Sequence, residues 1–319
     1  MIINMKNKTY VGFCLIIYFT FSSSLIFEKP DNKLDVYKSH VHLESSQSRL
    51  IYEKTEKNNV SNSRLDKNEN FLPKYFDARK KWPKCRSIGV VRYQSNCNSD
   101  WAIAAAGVFS DRLCIKSNGY IVVNVSAEHI LACAKYNGCS GGEPKDAWNF
   151  LKTKGAVTGG DYGTYEGCQP YEILPCGSSG YPKCRKTEAD TPICYGYCTN
   201  TYYRKRFVDD KNWARDRYVT FLPINEMTIM NEIIYNGSVQ CVFDGYKDLL
   251  YHVSGVYVKK SNEYIARHSV KIIGWGTENN QPYWLMVNSW GQRWAEQGLF
   301  KMARNTLITL YGNITAGYV

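Results

Sequence analysis

The sequence lacks three features that would each assign it to a familiar class of protein. No apolar run reaches the ~20 residues that a membrane-spanning helix needs, and the run at residues 10–21 is too short. The paired Cys-x-x-Cys and histidine spacing of structural zinc sites is absent. The net charge is +11, but the basic residues are scattered and no nucleic-acid recognition motif accompanies them. We therefore expect no metal, no cofactor and no nucleic acid partner, and interpret the charge as a solvated surface.

The N-terminal residues have the composition of a secretory signal. Lys6 and Lys8 precede the apolar run, and three serines at 22–24 offer small residues for cleavage. We predict a signal peptide over residues 1–24, with a signal anchor as the alternative. Residues 25–71 are rich in Lys, Glu, Asn and Ser and poor in apolar side chains, so this segment buries little surface by itself.

Cysteine is abundant. The chain has twelve cysteines, and all but Cys14 follow the predicted signal. Such a content is typical of a protein that folds in an oxidising compartment, and we expect secretion. An odd number remains after the signal, so one thiol is left over. The sequence alone does not fix the pairing.

Helical patterns come first after residue 71, and strand patterns follow. The helix after Asp100 is expected to end near residues 116–119, since a Gly just past a Lys is a usual helix stop. Ser126 caps a second helix, and residues 144–154 form a third with Pro in its first turn. Short β-branched and aromatic runs then predict antiparallel strands at 255–258, 269–273 and 283–287. This order indicates an α+β fold with a cleft between two halves.

One stretch carries the most specific signal. Residues 94–101 read Gln-Ser-Asn-Cys-Asn-Ser-Asp-Trp and lead into an alanine-rich helix. They resemble the active-site loop of papain-like cysteine peptidases, and of the cathepsin B group in particular, whose pattern is Gln-x-x-Cys-Gly-Ser-Cys-Trp with the second Cys as nucleophile. In this sequence Asp100 stands at the nucleophile's position and Asn98 at that of the Gly.

The resemblance extends over residues 72–319. Residues 72–79 (LPKYFDAR) are similar to the start of the mature cathepsin B domain, and residues 82–85 (WPKC) to the segment that follows. This resemblance implies a papain-like two-lobed fold, with a helical left half, an antiparallel β-barrel-like right half and a cleft between them. By position, residues 25–71 resemble a short pro-segment, with a simple linker as the alternative. The resemblance also implies a monomer in a secreted or lysosomal location.

The family's chemistry needs a thiolate, an imidazole, a group that orients the imidazole and donors for the oxyanion. The resemblance implies that Gln94 is the oxyanion donor, His268 the imidazole and Asn288 the orienting group, with Trp290 shielding their contact. The substrate-binding positions that it implies are Gly141 and Gly142, which would pair with an extended chain, and Trp294, an aromatic wall on the leaving-group side.

The resemblance also supplies a disulfide pattern. It implies the pairs Cys85–Cys114, Cys97–Cys139, Cys133–Cys194, Cys168–Cys198 and Cys176–Cys184. Cys241 is then the remaining thiol. It lies in the apolar, strand-like run 239–243, so we expect a buried and inert side chain rather than a reactive one.

Asp100 changes the chemistry that the loop can perform. A carboxylate is a weak nucleophile towards an amide, because attack would form a mixed anhydride and expel an amine. A helix N-terminus favours a negative charge by roughly 0.3–1 kcal/mol. We therefore predict an ionised Asp100 paired with a protonated His268 near neutral pH. An imidazolium held in this way cannot act as a general base.

Three further departures from the cathepsin B pattern lie around the cleft. Ala266 and Arg267 precede His268 where the family has Gly-Gly, which brings side chains near the cleft. Residues 304–312 lack the family's Cys-Gly-Ile-Glu, and with it the acidic residue at the base of the specificity pocket. Serines at 178 and 179 replace a His pair, so we expect no removal of C-terminal dipeptides.

The sequence therefore predicts a cathepsin B-like homologue that is catalytically inactive or very weak and retains a cleft for peptide or protein ligands. Cystatin-type inhibitors are a further class of partner, and no membrane contact is expected after signal removal. One alternative is an active cysteine-type endopeptidase, for which Cys97 and Ser99 are the neighbouring candidates. Another is a hydrolase in which Asp100 and His268 activate water. Glycosylation sequons begin at Asn59, Asn124, Asn236 and Asn313.

Overall fold

The computed structural model describes residues 72–177, 181–215, 218–221 (backbone only), 225–304 and 314–319. The predicted signal peptide, the predicted pro-segment, the serine pair at 178–179 and all but the first residue of the run 304–312 lie outside the described residues. Within those ranges, no helix is both long enough and apolar enough to cross a membrane.

Five α-helices are described, and three of them confirm the sequence prediction. Their bounds are α1 Ala78–Lys81, α2 Asp100–Lys116, α3 Ala127–Ala134, α4 Pro144–Thr153 and α5 Glu226–Asn236. The helix predicted after Asp100 includes Asp100 as its first residue, and it ends at Lys116, within the predicted range. Ser126 is the N-cap of α3, since its hydroxyl accepts the backbone N–H of His129 at 2.9 Å. The short helix α1 and the later helix α5 were not predicted.

Eight strands form one sheet. They are β1 Phe76–Asp77, β2 Tyr218–Phe221, β3 Val239–Tyr246, β4 Val256–Tyr257, β5 Tyr264–Glu278, β6 Gln281–Val287, β7 Leu299–Ala303 and β8 Ile314–Gly317. The order is β2-β8-β3-β5-β6-β7-β4, with β1 beside β5. The described pairings are antiparallel except β4 with β7, which is parallel. The expectation that residues 255–258 belong to an antiparallel pairing was therefore wrong.

Strand β5 carries the candidate histidine at the edge of the core. Residues 264–267 are exposed, whereas His268 is buried and begins a buried run that continues to Gly276. In the pairing with β3, His268 lies opposite Phe243 and Arg267 lies opposite Asp244. The strand therefore passes from solvent into the core at His268, and the imidazole lies at the boundary between the exposed and the buried part of β5.

Two separate apolar cores confirm the α+β class with a helical region and a sheet region. The helical core is built around Trp101, Phe109 and Trp148, and the sheet core includes Trp275 and Trp284. These five aromatic side chains are almost fully buried. Burial of aromatic side chains is the main apolar contribution to the stability of each half.

All five disulfides implied by the resemblance are present: Cys85–Cys114, Cys97–Cys139, Cys133–Cys194, Cys168–Cys198 and Cys176–Cys184. Cys241 is the free cysteine of the described residues, and it is buried. The Cys97–Cys139 bridge ties the loop that precedes α2 to the segment that precedes Gly141 and Gly142. It therefore fixes two walls of the same opening relative to each other.

Candidate active site

A cleft of about 440 Å³ opens between the helical half and the sheet half. Five of the seven predicted catalytic and substrate-binding residues line it: Gln94, Asp100, Gly141, Gly142 and His268. Asn288 lies behind His268. Trp294 lines a neighbouring depression, which shares Leu250 and Trp290 with the cleft. The structure thus brings the predicted site residues to one opening and the depression beside it.

Asp100 is the first residue of α2 and is 8% exposed. Its Oδ2 lies 3.2 Å from Nδ1 of His268. The same oxygen accepts the backbone N–H of Ser269 at 2.6 Å. A carboxylate at this position also faces the positive end of the helix macrodipole. The imidazole of His268, the backbone N–H of Ser269 and the N-terminus of α2 therefore converge on this carboxylate.

The other side of the His268 ring is held by Asn288. Nε2 of His268 lies 2.7 Å from Oδ1 of Asn288. The backbone N–H of Ser289 donates to the same Oδ1 at 2.8 Å, which fixes the orientation of the amide. Because Oδ1 only accepts, Nε2 must carry a proton. Attraction between Nδ1 and the carboxylate of Asp100 then requires a second proton between those two atoms.

Aromatic rings cover the imidazole. The Trp290 ring lies 4.7 Å from the His268 ring at an interplanar angle of 31°. Phe243 approaches edge-on from β3 at 5.8 Å. Trp294 packs against Trp290 with centroids 4.9 Å apart. Since His268 is 7% exposed, these rings keep water away from its hydrogen bond with Asn288.

Gln94 is tied into the loop before α2. Its Nε2 donates to the carbonyl of Cys97 at 2.9 Å, and its Oε1 accepts from the hydroxyl of Ser289 at 2.7 Å. Its backbone N–H donates to the carbonyl of Ser289 at 2.8 Å. One of the two N–H bonds of the side-chain amide is therefore used within the loop. The proposed role of Gln94 as an oxyanion donor remains a prediction.

Gly141 and Gly142 form the wall opposite β5. Gly141 has a φ of +96°, which favours glycine, and its carbonyl accepts from Nζ of Lys135 at 2.7 Å. A Cβ at Gly142 would lie 2.5 Å from the ring of Trp101. Both glycines are thus required by the local geometry, and they leave backbone rather than side chain facing the cleft.

Sequence reasoning missed an ion pair at the mouth of the cleft. Arg267 and Glu143 approach to 3.7 Å between Nη2 and Oε1. The departure from Gly-Gly had placed Arg267 near the cleft, but nothing in the sequence identified its partner. The one sequence indication that Glu143 lies near the cleft was its position directly after the predicted glycine pair. The backbone N–H of Ser269 as a partner of Asp100 was also missed, because a backbone group leaves no mark in a sequence.

The other candidate nucleophiles are held in structural roles. Cys97 is in a disulfide. The hydroxyl of Ser99 is fully buried and lies 2.6 Å from the hydroxyl of Tyr171. Burial raises the pKa of the Cys241 thiol to about 12. In the ranges that the structure covers, no group of three His, Cys, Asp or Glu side chains could hold a metal ion.

A helical half and a sheet half with separate cores, a cleft between them, and a histidine held by an asparagine beneath a tryptophan define a papain-like protein. The family model of papain family cysteine proteases matches residues 72–315, and the chain belongs to this family.

The relatives it resembles are more specific. Cathepsin B-like cysteine proteinase 4 of Caenorhabditis elegans is 41% identical over 247 residues, which cover 76% of this chain and 73% of that protein. Cathepsin B-like cysteine proteinase 5 of the same organism is 40% identical over 243 residues, covering 73% and 70%. Among solved structures, proCathepsin B S9 from Trypanosoma congolense has a TM-score of 0.65 at 31% identity and covers 81% of each chain. The chain is thus a cathepsin B-like homologue within the papain family.

Proposed function

We propose that this chain is a cathepsin B-like protein without cysteine peptidase activity, which binds peptides or protein segments in its cleft. The observation that carries the proposal is the carboxylate of Asp100 beside His268, 3.2 Å from Nδ1. In the family pattern that residues 94–101 resemble, this position belongs to the thiolate. Asp100 reproduces the negative charge of that thiolate but not its nucleophilicity, so the ion pair is kept and acyl transfer is lost.

The proposal is supported by the state of the remaining thiols. Each cysteine of the described residues other than Cys241 is in a disulfide. Cys241 is fully buried and its pKa is raised by desolvation. A thiol in such surroundings is inert, because neither the thiolate form nor access to substrate is available. An active cysteine-type peptidase would need a reactive thiolate next to His268.

The water-activating alternative is disfavoured by the two contacts of the imidazole. A general base needs a free ring nitrogen within hydrogen-bond reach of the water. Nδ1 of His268 faces Asp100, and Nε2 faces Asn288. Both nitrogens are therefore already engaged within the protein, and neither is free to take a proton from a water molecule.

We propose peptide ligands because the partly exposed backbone of Gly141 and Gly142 forms one wall of the cleft. Gly142 offers its N–H and C=O groups to an extended chain, as in strand addition, whereas the N–H of Gly141 donates to the carbonyl of Gly138 and its carbonyl accepts from Lys135. We propose cystatin-type inhibitors as a second class of partner, because the same backbone wall is available to them. We further propose a secreted or lysosomal location, in keeping with the five disulfides.

The test compares the secreted protein with its Asp100→Cys and Asp100→Asn variants. Each is incubated with a mixture of fluorogenic peptides and, separately, with a thiol-directed epoxide whose attachment is read by mass spectrometry. We expect neither cleavage nor attachment for the wild type and for Asp100→Asn. We expect both for Asp100→Cys, with the epoxide on the substituted position, because His268 and Asn288 are already placed around it.

Other outcomes would each overturn a named part of the proposal. If the wild type cleaves and the epoxide stops it, the protein is an active cysteine peptidase. If the wild type cleaves, the epoxide has no effect and Asp100→Asn abolishes the activity, Asp100 and His268 activate water. If Asp100→Cys neither cleaves nor binds the epoxide, the cleft does not accept peptides.

A further inference from the structure

An ion pair spans the cleft next to the candidate site. Arg267 immediately precedes His268 on β5, and Glu143 lies between Gly142 and the start of α4. The two side chains approach to 3.7 Å, with exposed fractions of 54% for Arg267 and 42% for Glu143. The pair therefore joins the sheet half to the helical half at the mouth of the opening, where a ligand would enter.

This ion pair is weak. Its separation of 3.7 Å exceeds hydrogen-bond distance for a guanidinium and a carboxylate. Half-exposed ion pairs contribute little to stability, because solvent screens them. In the described ranges, the contact with Glu143 is the one polar interaction of the Arg267 side chain. Most of its five N–H donors therefore face the cleft or solvent.

An extended ligand along Gly141 and Gly142 must pass this pair. Glu143 forms a capping box with Asp146 at the start of α4. Its backbone N–H donates to Oδ2 of Asp146 at 3.0 Å, and this bond does not need the Glu143 side chain. Glu143 is therefore the partner that can turn away, at the cost of its side-chain part in that cap. Arg267 is placed by the pairing of its strand, opposite Asp244 on β3. Opening the pair thus leaves a guanidinium at a defined position beside the ligand.

None of the other charges that line the cleft forms an ion pair with that guanidinium, and Asp244, which lies opposite Arg267 on β3, is not part of the lining. Lys135 is a second cation in the lining, and its Nζ is held by the carbonyl of Gly141. Asp100 is the remaining acidic residue of the lining, and its carboxylate is occupied by His268 and Ser269. Once Glu143 has turned away, the free charge in the cleft is positive.

We infer that the cleft selects ligands with a carboxylate that replaces Glu143 on Arg267. The inference rests on the proposed peptide-binding function and names its specificity. A ligand carboxylate seated against the guanidinium fork forms two parallel hydrogen bonds, which are stronger than the long contact they replace. A basic ligand side chain at the same place meets Arg267 and Lys135 and is rejected. The carboxylate is either an Asp or Glu side chain or the C-terminus of a peptide.

The experiment measures binding to the intact secreted protein by fluorescence anisotropy. The probes are labelled, end-blocked peptides of one sequence in which a single position at a time is Glu, Gln or Lys. A further all-Gln peptide has a free C-terminal carboxylate. We expect Glu at one position, or the free C-terminus, to bind about tenfold more tightly than the matched neutral peptide. Lys at that position should bind more weakly than Gln.

Variants assign the preference to the ion pair. Arg267→Gln should bring the Glu and Gln peptides to equal affinity, and Arg267→Lys should leave an intermediate preference because it keeps the charge but loses the fork. Glu143→Gln should strengthen Glu binding about two- to fivefold, since no competitor remains. Arg204→Gln is the matched control: Arg204 is an exposed arginine outside the lining of the cleft and of the neighbouring depression, and its loss should leave the preference unchanged.

The outcomes separate this inference from the function on which it rests. If Glu and Gln peptides bind with equal affinity at every position, the specificity is wrong and the peptide-binding cleft stands. If the preference survives Arg267→Gln, another cation carries it and the assignment to Arg267 is wrong. If no peptide of the set binds while Asp100→Cys cleaves unrelated peptides, the cleft is functional and the carboxylate inference alone fails. If neither occurs, the proposed function fails with it.

Discussion

Oδ2 of Asp100 lies 3.2 Å from Nδ1 of His268 and accepts the backbone N–H of the next residue, Ser269, at 2.6 Å. Asp100 begins helix α2, and His268 belongs to strand β5. The contact therefore joins the helical half to the sheet half at the base of the cleft. Even without any catalytic role, Asp100 would therefore still hold the helical half and the sheet half together.

This relationship predicts a cost in stability when either partner is removed. Asp100→Ala should lower the free energy of unfolding by about 1–3 kcal/mol, because it removes hydrogen bonds to a buried charged group. His268→Ala and the double variant complete a double-mutant cycle in urea at pH 7. We expect a favourable coupling energy of about 0.5–3 kcal/mol. Additive single effects would mean that Asp100 and His268 do not interact.

A second prediction concerns Glu128 in α3, which is 4% exposed. Its Oε2 accepts the backbone N–H of Glu172 at 3.1 Å, and Oε1 has no hydrogen-bond partner among the described residues. Burial raises the pKa of Glu128 from 4.5 to about 8. The folded state therefore holds a proton that the unfolded state releases between those pH values. The contribution of Glu128 to the free energy of unfolding is therefore largest below pH 4.5, and it is lost as the pH rises to about 8.

The variant Glu128→Gln should remove this loss, which is on the order of 3–5 kcal/mol. The measurement is urea unfolding of wild type and variant from pH 4 to 9. The neighbouring residue gives a control of opposite sign, because burial lowers the pKa of His129 from 6.5 to about 3. His129→Gln should reduce the loss of stability that occurs as the pH falls below 6.5. It should leave unchanged the loss that Glu128 causes as the pH rises above 6.5. Parallel curves for wild type and Glu128→Gln would contradict the prediction.

The third prediction concerns the free thiol. Cys241 is fully buried in β3, and burial raises its pKa to about 12. The native protein should therefore leave Cys241 unmodified by iodoacetamide at pH 7.5, as read by peptide mapping, whereas denaturation in guanidinium should expose it. The Asp100→Cys variant gives the positive control, since its new thiol lies in the cleft. Rapid native modification of Cys241 would show that β3 opens.

Local patterns predicted the parts of the fold that depend on neighbouring residues. Ser126 marks the start of α3 because a hydroxyl cap satisfies an N–H only three residues away. The end of α2 at Lys116 was equally readable. The disulfides came from the family resemblance instead, since spacing leaves their pairing open. That resemblance also assigned His268 and Asn288 to one site. The structure places Nε2 of His268 2.7 Å from Oδ1 of Asn288, and their catalytic roles stay predictions.

Contacts between distant segments were not predictable in the same way. Strand β4 runs parallel to β7, and the direction of a pairing is set by the path of the chain between the strands, not by the residues within them. Arg267 and Glu143 lie on different halves of the fold and meet only because the cleft brings them together. Helix α5 was not predicted, because it lies in a part of the chain whose other residue patterns indicate strands.

The last prediction tests the backbone wall of the cleft. Gly142 packs against Trp101, and a Cβ there would lie 2.5 Å from the indole ring. Trp101 cannot move away easily, since it is 1% exposed and its Nε1 donates to the carbonyl of Gly138 at 3.1 Å. Gly142→Ala should therefore lower the free energy of unfolding by about 1–3 kcal/mol through overpacking. It should also weaken peptide binding, because the wall must shift into the cleft.

The matched control is Gly196→Ala. Gly196 is exposed and a Cβ there would meet no atom within 4 Å, so its replacement should change stability by less than about 0.5 kcal/mol. Urea unfolding followed by tryptophan fluorescence compares the two variants, and anisotropy with the labelled peptides compares their binding. Equal stability of the two variants would mean that Trp101 relaxes without cost. Unchanged binding by a destabilised Gly142→Ala would mean that ligands do not lie along this wall.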